Sequence, residues 1–337
     1  MGEFVNLVAR CADLAENIVW VLGGVVGTLL VGSIVRIVYL LRRTVPRSEF
    51  RSRIGSLATW WILYFLLLLV TLLGSGTAVV LFACVSLVGL REFERLVGGR
   101  VAVVSLWWFA YLVVPVHYLI VYLEQFGPFW TFIPVWVFFI LLARLAIMGQ
   151  TGGFLETAGI VFVGLMLIVF LFSHAVLLLT LPEDVSPAAG PVGLFLYLIL
   201  MTEGNDIAQA LWGRHFGRHK ITPVVSPNKT WEGFLLAMAT TIALGFILAG
   251  FLTPFRDRPF RIGQASWHIP FLPTLASGAL IACGGFLGDV TMSAVKREVG
   301  VKDSGTLLPG QGGILDRIDS LTFTAPLFFY FVFIFYG

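Results

Sequence analysis

Ten apolar runs, spread from one end of the chain to the other, constrain the fold more than any other feature. Read with a window of about 19 residues, they cover 18–41, 57–73, 76–90, 102–123, 129–148, 155–181, 190–212, 233–253, 270–292 and 320–336. Most are long enough to cross the roughly 30 Å hydrocarbon core of a bilayer as helices. A backbone in lipid finds no water to bond to, so only helices and closed barrels span a membrane. Barrel strands alternate apolar and polar residues over about ten positions, and these runs do not alternate. The expectation is an all-α polytopic membrane protein, a bundle of roughly ten transmembrane helices with a polar site facing the cytoplasm. Composition agrees: of 337 residues, 58% are hydrophobic and 12% charged, against about 25% charged in soluble domains. So few charges cannot coat a globular surface, which excludes a soluble enzyme, a disordered chain and a coiled coil.

The remaining sequence signals organise the bundle. Gly74-Ser75-Gly76 is a turn signal and predicts a tight helical hairpin from the second and third runs. Three units are expected: residues 1–56, a first transmembrane helix and a basic cytoplasmic loop; 57–200, a helix bundle; and 201–337, a catalytic membrane domain. Glu3, Asp13 and Glu16, followed by a long apolar run, do not read as a cleaved signal peptide. With ten spans, seventeen Lys and Arg residues fall on one side and four, Arg10, Arg256, Arg258 and Arg261, on the other. The positive-inside rule makes the first side cytoplasmic and puts both termini outside. A net charge of +3 gives no reason to expect a nucleic-acid partner. Cys11, Cys84 and Cys283 have neither disulfide nor zinc spacing. No internal repeat is visible, which weighs against a transporter built from inverted repeats.

Two windows are too polar for plain linkers. In the first, residues 202–233, Glu203, Asp206, Gln209 and Gly213 follow one another at steps of three and four, so a helix places them on one face. An acidic residue beside a membrane span needs a partner, a metal or water; Arg214, two turns after Asp206, is one such partner. Ser226-Pro227-Asn228-Lys229-Thr230 reads as a turn that restarts a helix near Trp231. Lysine, threonine and free backbone N–H groups at a helix start suit a phosphate, and they equally suit an ordinary capped start with a snorkelling lysine.

In the second window, residues 288–320, Asp289, Ser293, Lys296 and Arg297 form one polar stripe on an otherwise apolar helix. Lys302-Asp303-Ser304-Gly305 and Pro309-Gly310-Gln311-Gly312-Gly313 then make a glycine-rich loop, followed by Asp316 and Asp319 at i and i+3. If the loop folds back, Asp289 and Asp316 meet at the mouths of neighbouring helices. Carboxylates gathered there repel one another unless a cation lies between them, and hard oxygen ligands beside phosphate suit Mg²⁺. Lysines and arginines suit phosphate oxygens, and glycines let backbone approach an anion. Acids for metal, bases for phosphate and glycines for access are what phosphoryl or nucleotidyl transfer requires.

These windows resemble the CDP-diacylglycerol synthases, or phosphatidate cytidylyltransferases. That family ends in Ser, two residues on Lys-Arg, four residues on Lys-Asp, then a Pro-x-His-Gly-Gly turn and Asp-Arg-x-Asp. Ser293, Lys296, Arg297, Lys302, Asp303, Gly305, Pro309, Gly312, Gly313, Asp316, Arg317 and Asp319 stand at that spacing. The stretch 226–233, the Gly213-Arg214 and Gly217 pattern, and Arg91-Glu92-Phe93 look like the family too. The detailed resemblance covers roughly residues 200–320, and the first span reads as an addition. Gln311 stands where the family has His, and Gly204-Asn205-Asp206 departs from the usual acidic helix. Glutamine bonds but does not titrate near neutral pH.

The resemblance implies a nucleotidyltransferase that moves CMP from CTP onto phosphatidate, giving CDP-diacylglycerol and pyrophosphate for phospholipid synthesis. One alternative is a related cytidylyltransferase acting on a different lipid phosphate, and a remoter one is a membrane transporter. The resemblance further implies Mg²⁺, with room for a second cation, as cofactor. It places a multi-pass protein in membrane lipid, in the bacterial inner (plasma) membrane with its active site on the cytoplasmic side, and allows a homodimer. The catalytic residues are then Asp289, Lys296, Arg297, Lys302, Asp316 and Arg317, with Asp289, Asp316 and Asp319 as metal ligands. Ser226, Asn228, Lys229, Thr230, Asp206, Ser293, Gly312 and Gly313 bind substrate.

Overall fold

The computed structural model describes residues 14–42, 46–101, 105–262, 265–308 and 310–337. Glu3, Arg10, Cys11, Asp13, Arg43 and Pro309 lie outside the described residues. The long helices are α1 (Glu16–Arg42), α2 (Arg47–Leu73), α3 (Ser75–Val97), α4 (Ser105–Tyr122), α5 (Phe126–Ile147), α6 (Phe154–Thr180), α7 (Gly190–Phe216), α8 (Trp231–Leu252), α9 (Phe271–Glu298) and α10 (Leu315–Tyr336). Among the described residues nine of these are long and apolar enough to cross a membrane. The other, α7, has 27 residues, but the polar groups of its second half lower its hydropathy. Those groups are tolerated because α7 is packed inside the bundle, where Asn205 and Gln209 are buried. The chain is therefore an all-α polytopic membrane protein, with two short antiparallel hairpins as its β-structure among the described residues.

The helices coincide with the apolar runs but overshoot them at the polar ends. α2 starts at Arg47 rather than at 57, so most of the expected basic loop is helix. α3 and α9 run on to Val97 and Glu298. A hydropathy window marks where a chain leaves lipid, whereas a helix ends only where its backbone bonding ends. The hairpin expected around Gly74 is present, with that glycine at a φ of 81° between α2 and α3. α5 and α6 each contain a π-type stretch, Phe132–Val137 and Met166–Leu171. Pro134 lies in the first, where a missing N–H disturbs the helical ladder.

Hydrophobic burial does not drive helices together inside lipid, so close backbone contact and polar side chains do. Tyr197 and Ser277 join α7 to α9 at 2.9 Å, Thr202 and Thr324 join α7 to α10 at 2.9 Å, and Thr241 donates to Asn205 Oδ1 at 3.1 Å between α8 and α7. A Cβ on Gly233 would lie 2.8 Å from Gly213 Cα, so only glycine lets the start of α8 meet the end of α7. The four C-terminal helices run alternately, and the ends of α7 and α9 meet the starts of α8 and α10 at one end of the bundle.

Residues 226–230 are not a turn. They form β2 (Ser226–Thr230), paired with β1 (Lys220–Thr222), with Lys220 opposite Thr230 and Thr222 opposite Ser226. Thr230 then caps α8, its hydroxyl accepting from Gly233 N at 3.2 Å. Two of the four basic residues counted on the other side of the membrane, Arg256 and Arg258, are engaged with neighbouring groups. The Arg256 guanidinium lies over Gly250, and Arg258 donates to the Asp184 carbonyl.

Candidate active site

Glu203, Asp206, Gln209 and Gly213 all line a single cavity of 680 Å³, as their helical spacing predicts. The loop after α7 turns the chain back through β1 and β2, and β2 presents Ser226, Asn228 and Lys229 to the same space. α9 supplies Asp289 and Lys296, and the start of α10 supplies Asp316, Arg317, Asp319 and Ser320. The two polar windows, far apart in sequence, thus share one chamber. A Cβ on Gly288 would overlap the Asp319 carbonyl, and this close crossing sets Asp289, the next residue, beside Asp319.

Two ion pairs cross the chamber. Lys229 of β2 pairs with Asp289 of α9 and donates to Gln209 Oε1 at 2.8 Å. Lys296 lies 2.6 Å from Asp316 Oδ1. The other oxygen of Asp316 accepts from Ser304 N at 3.0 Å, Ser304 Oγ at 2.9 Å and Gly313 N at 2.9 Å. Asp316 therefore gathers the glycine loop onto α9. Asp206 accepts from Ser320 Oγ at 2.9 Å rather than pairing with Arg214, and Asp319 Oδ1 accepts from Ser320 N at 2.9 Å.

Glu203, Asp206 and Asp319 have no ion-pair partner among the described residues. Asp206, Asp289 and Asp319 stand within electrostatic range of one another. Asp316 lines the same chamber as Asp206, Asp289 and Asp319 and is in addition held by Lys296.

Six of the expected site residues do not line the chamber: Thr230, Ser293, Arg297, Lys302, Gly312 and Gly313. Thr230 is the helix cap already described. Ser293 Oγ points to Asp289 Oδ1 at 3.4 Å. Arg297 is exposed and donates to the carbonyls of Val225 at 3.3 Å and Val301 at 3.0 Å. Lys302 is exposed. Gly312 sits at a φ of 85° in the loop, and Gly313 supplies its N–H to Asp316.

Other residues line the chamber to which the sequence assigned no site role: Trp60, Arg214, Lys220, Asp303 and Gln311. Trp60 belongs to an unbroken apolar run, and nothing local marks it. Gln311 donates to the Ser56 carbonyl and hydroxyl, both at 3.2 Å, and docks the glycine loop on α2.

The donor set can be compared with what Mg²⁺ needs. Among the described residues no group of three or more His, Cys, Asp or Glu side chains is arranged to hold a metal by itself. Mg²⁺ seldom uses such a cage; it takes one or two carboxylates, waters and substrate phosphates. Asp289 and Asp319, hard oxygen donors beside the carboxylate of Asp206, fit that pattern, and Asp319 forms no ion pair among the described residues.

The chain matches the model of the cytidylyltransferase family over residues 54–335. It is 40% identical over 274 residues to an uncharacterized protein, YnbB, of Escherichia coli strain K12, a match covering 81% of this chain and 85% of that one. A phosphatidate cytidylyltransferase of Haemophilus influenzae is 40% identical over 140 residues, 42% of this chain and 46% of its own length. One from Staphylococcus epidermidis is 41% identical over 134 residues, 40% and 46%. The chain thus matches just under half the length of these two curated relatives. α1 lies outside the family match, as the sequence led us to expect. Because that match runs from within α2 almost to the end of α10 and takes in every residue of the chamber, the chain belongs to the cytidylyltransferase family and is a nucleotidyltransferase.

Proposed function

We propose that the chain transfers CMP from CTP to phosphatidate, giving CDP-diacylglycerol and pyrophosphate, in a Mg²⁺-dependent reaction on the cytoplasmic side of a bacterial inner membrane. The observation that carries this reading is the convergence of both polar windows on one chamber at one end of the bundle. Its walls bring six acidic and five basic side chains together, a formal charge of −1. Such a chamber repels two polyanions unless a divalent cation accompanies them. Asp289 and Asp319 are the residues to hold that cation, with Asp316 as the further ligand, and room remains for a second ion. Mg²⁺ bound there would neutralise charge on the α-phosphate and the departing pyrophosphate.

A phosphate-monoester oxygen of the lipid attacks the α-phosphorus of CTP, and the bond from that phosphorus to the bridging oxygen of pyrophosphate breaks. The attacking oxygen is already anionic near neutral pH, since the second phosphate pKa is about 6, so no strong general base is needed. The chain's own task is to bring the anions together. Lys229 and Lys296, held by carboxylates, present ammonium groups for phosphate oxygens, and Arg317 adds a planar donor. Ser226, Asn228 and the glycine loop orient the nucleotide. Arg297 and Lys302 act from the rim.

Purified protein, Mg²⁺, labelled CTP and phosphatidate should yield a lipid-linked CMP product. A second reading, transfer to another lipid phosphate, is motivated by Gln311 and Asn205, which depart from the family's pattern at the site. Turnover across a panel of lipid phosphates separates the two.

A further inference from the structure

We propose that Glu92 is a positioning residue for the chamber, acting from behind the glycine loop and not on the substrate; this rests on the cytidylyl-transfer reading above. Glu92 lies near the end of α3, is 9% exposed, and does not line the chamber. Among the described residues it has no ion-pair partner. A carboxylate buried without a cation needs another source of positive potential. Here that source is the start of α10: Glu92 Oε2 accepts from Leu315 N at 3.0 Å. This N–H has no partner within its own helix, and a helix start favours a negative group.

The same carboxylate shapes the loop. A Cβ on Gly305 or on Gly313 would overlap it, so both glycines are pressed against Glu92 from two stretches of the loop. Gly313 and Ser304, one residue from Gly305, bind Asp316 on the other side. The loop is therefore clamped between Glu92 and Asp316, and both carboxylates meet the first turn of α10. That turn carries Asp316 and Arg317 and leads into Asp319. A displacement of about 1 Å in such a turn can cost about 100-fold in rate.

Side-chain reach is what the geometry requires. Glu92→Gln keeps a carbonyl oxygen at the same reach, whereas Glu92→Asp withdraws the acceptor by a methylene and Glu92→Ala removes it. Expected turnover is within about threefold of wild type for Gln and at least about tenfold lower for Asp and Ala, with the KM for CTP within about twofold in all three. Amide hydrogen exchange over residues 304–316 gives a readout independent of the reaction. It should rise at least about tenfold in the Asp and Ala variants and stay near wild type in the Gln variant.

Should the Ala variant not fold, the contrast between Asp and Gln carries the same test. Wild-type turnover and exchange in Glu92→Asp, or a Gln variant as impaired as Asp, would overturn the inference. A wild-type enzyme that labels no lipid overturns the reaction assigned above, while the exchange data still decide the role of Glu92.

Discussion

The ammonium of Lys296 lies 2.6 Å from Asp316 Oδ1, with 10% of each side chain exposed, and joins the last turns of α9 to the first turn of α10. Removing one partner of a buried pair leaves an unpaired charge and typically costs about 3–5 kcal/mol. Lys296→Met should fall at the lower end of that range, because the second Asp316 oxygen keeps its three donors. Thermal unfolding in detergent measures this; an unchanged midpoint would show that the pair does not hold the helices.

Asp289 and Asp319 are brought together by the glycine contact at Gly288. If they share a divalent cation, Asp289→Asn and Asp319→Asn should each lower turnover by at least about 100-fold, the scale seen when one electrostatic contact to a transition state is lost. Each should also raise the Mg²⁺ concentration needed for half-maximal rate. A Mg²⁺ titration of both variants checks this; an unshifted titration removes that residue as a ligand.

Gly288 itself gives a separate test. Adding a methyl group forces α9 and α10 apart, and overpacking of this kind costs about 1–3 kcal/mol. Gly288→Ala should lower both stability and turnover, because the same displacement separates Asp289 from Asp319. Loss of stability with full activity would mean that the crossing does not set the site.

Thr230 and Gln311 act through the backbone. Thr230→Ala removes the cap of α8 and should cost about 1 kcal/mol. Gln311→Leu removes the bonds to Ser56 and should cost about 0.5–1.5 kcal/mol per bond lost, whereas Gln311→His keeps a donor for the Ser56 carbonyl and should retain most activity. Unfolding midpoints together with turnover numbers decide both cases.

The apolar runs were legible as helices because lipid leaves the backbone only helices and closed barrels, and these runs lack the alternation of barrel strands. Their polar ends were not, since Arg47–Gly55 and Arg91–Val97 continue as helix beyond the point where hydropathy falls. The acidic face of α7 followed from periodicity, as Glu203, Asp206, Gln209 and Gly213 do share one cavity. The β-hairpin at 220–230 was missed because Pro227 and Asn228 look like a turn when read locally, and the pairing with Lys220–Thr222 is a contact between separate stretches. The partners of each carboxylate were equally hidden. Sequence spacing brings Asp316 and Asp289 to one site, but it shows neither the crossing at Gly288 that sets Asp319 beside Asp289 nor the pairing of Asp316 with Lys296. Trp60 and the contact of Gln311 with Ser56 join segments about 250 residues apart, beyond any local pattern.

The most direct measurement follows the phosphates of CTP. Protein in detergent with Mg²⁺ and phosphatidate is given CTP labelled either at the α- or at the γ-phosphate, and lipid is extracted. The account predicts that the α-label enters lipid and the γ-label leaves as pyrophosphate. It also predicts that chelating the metal, or replacing Asp289 by alanine, abolishes the lipid signal. A γ-label in the lipid, or no α-label in phosphatidate or in any other lipid phosphate supplied, would contradict it.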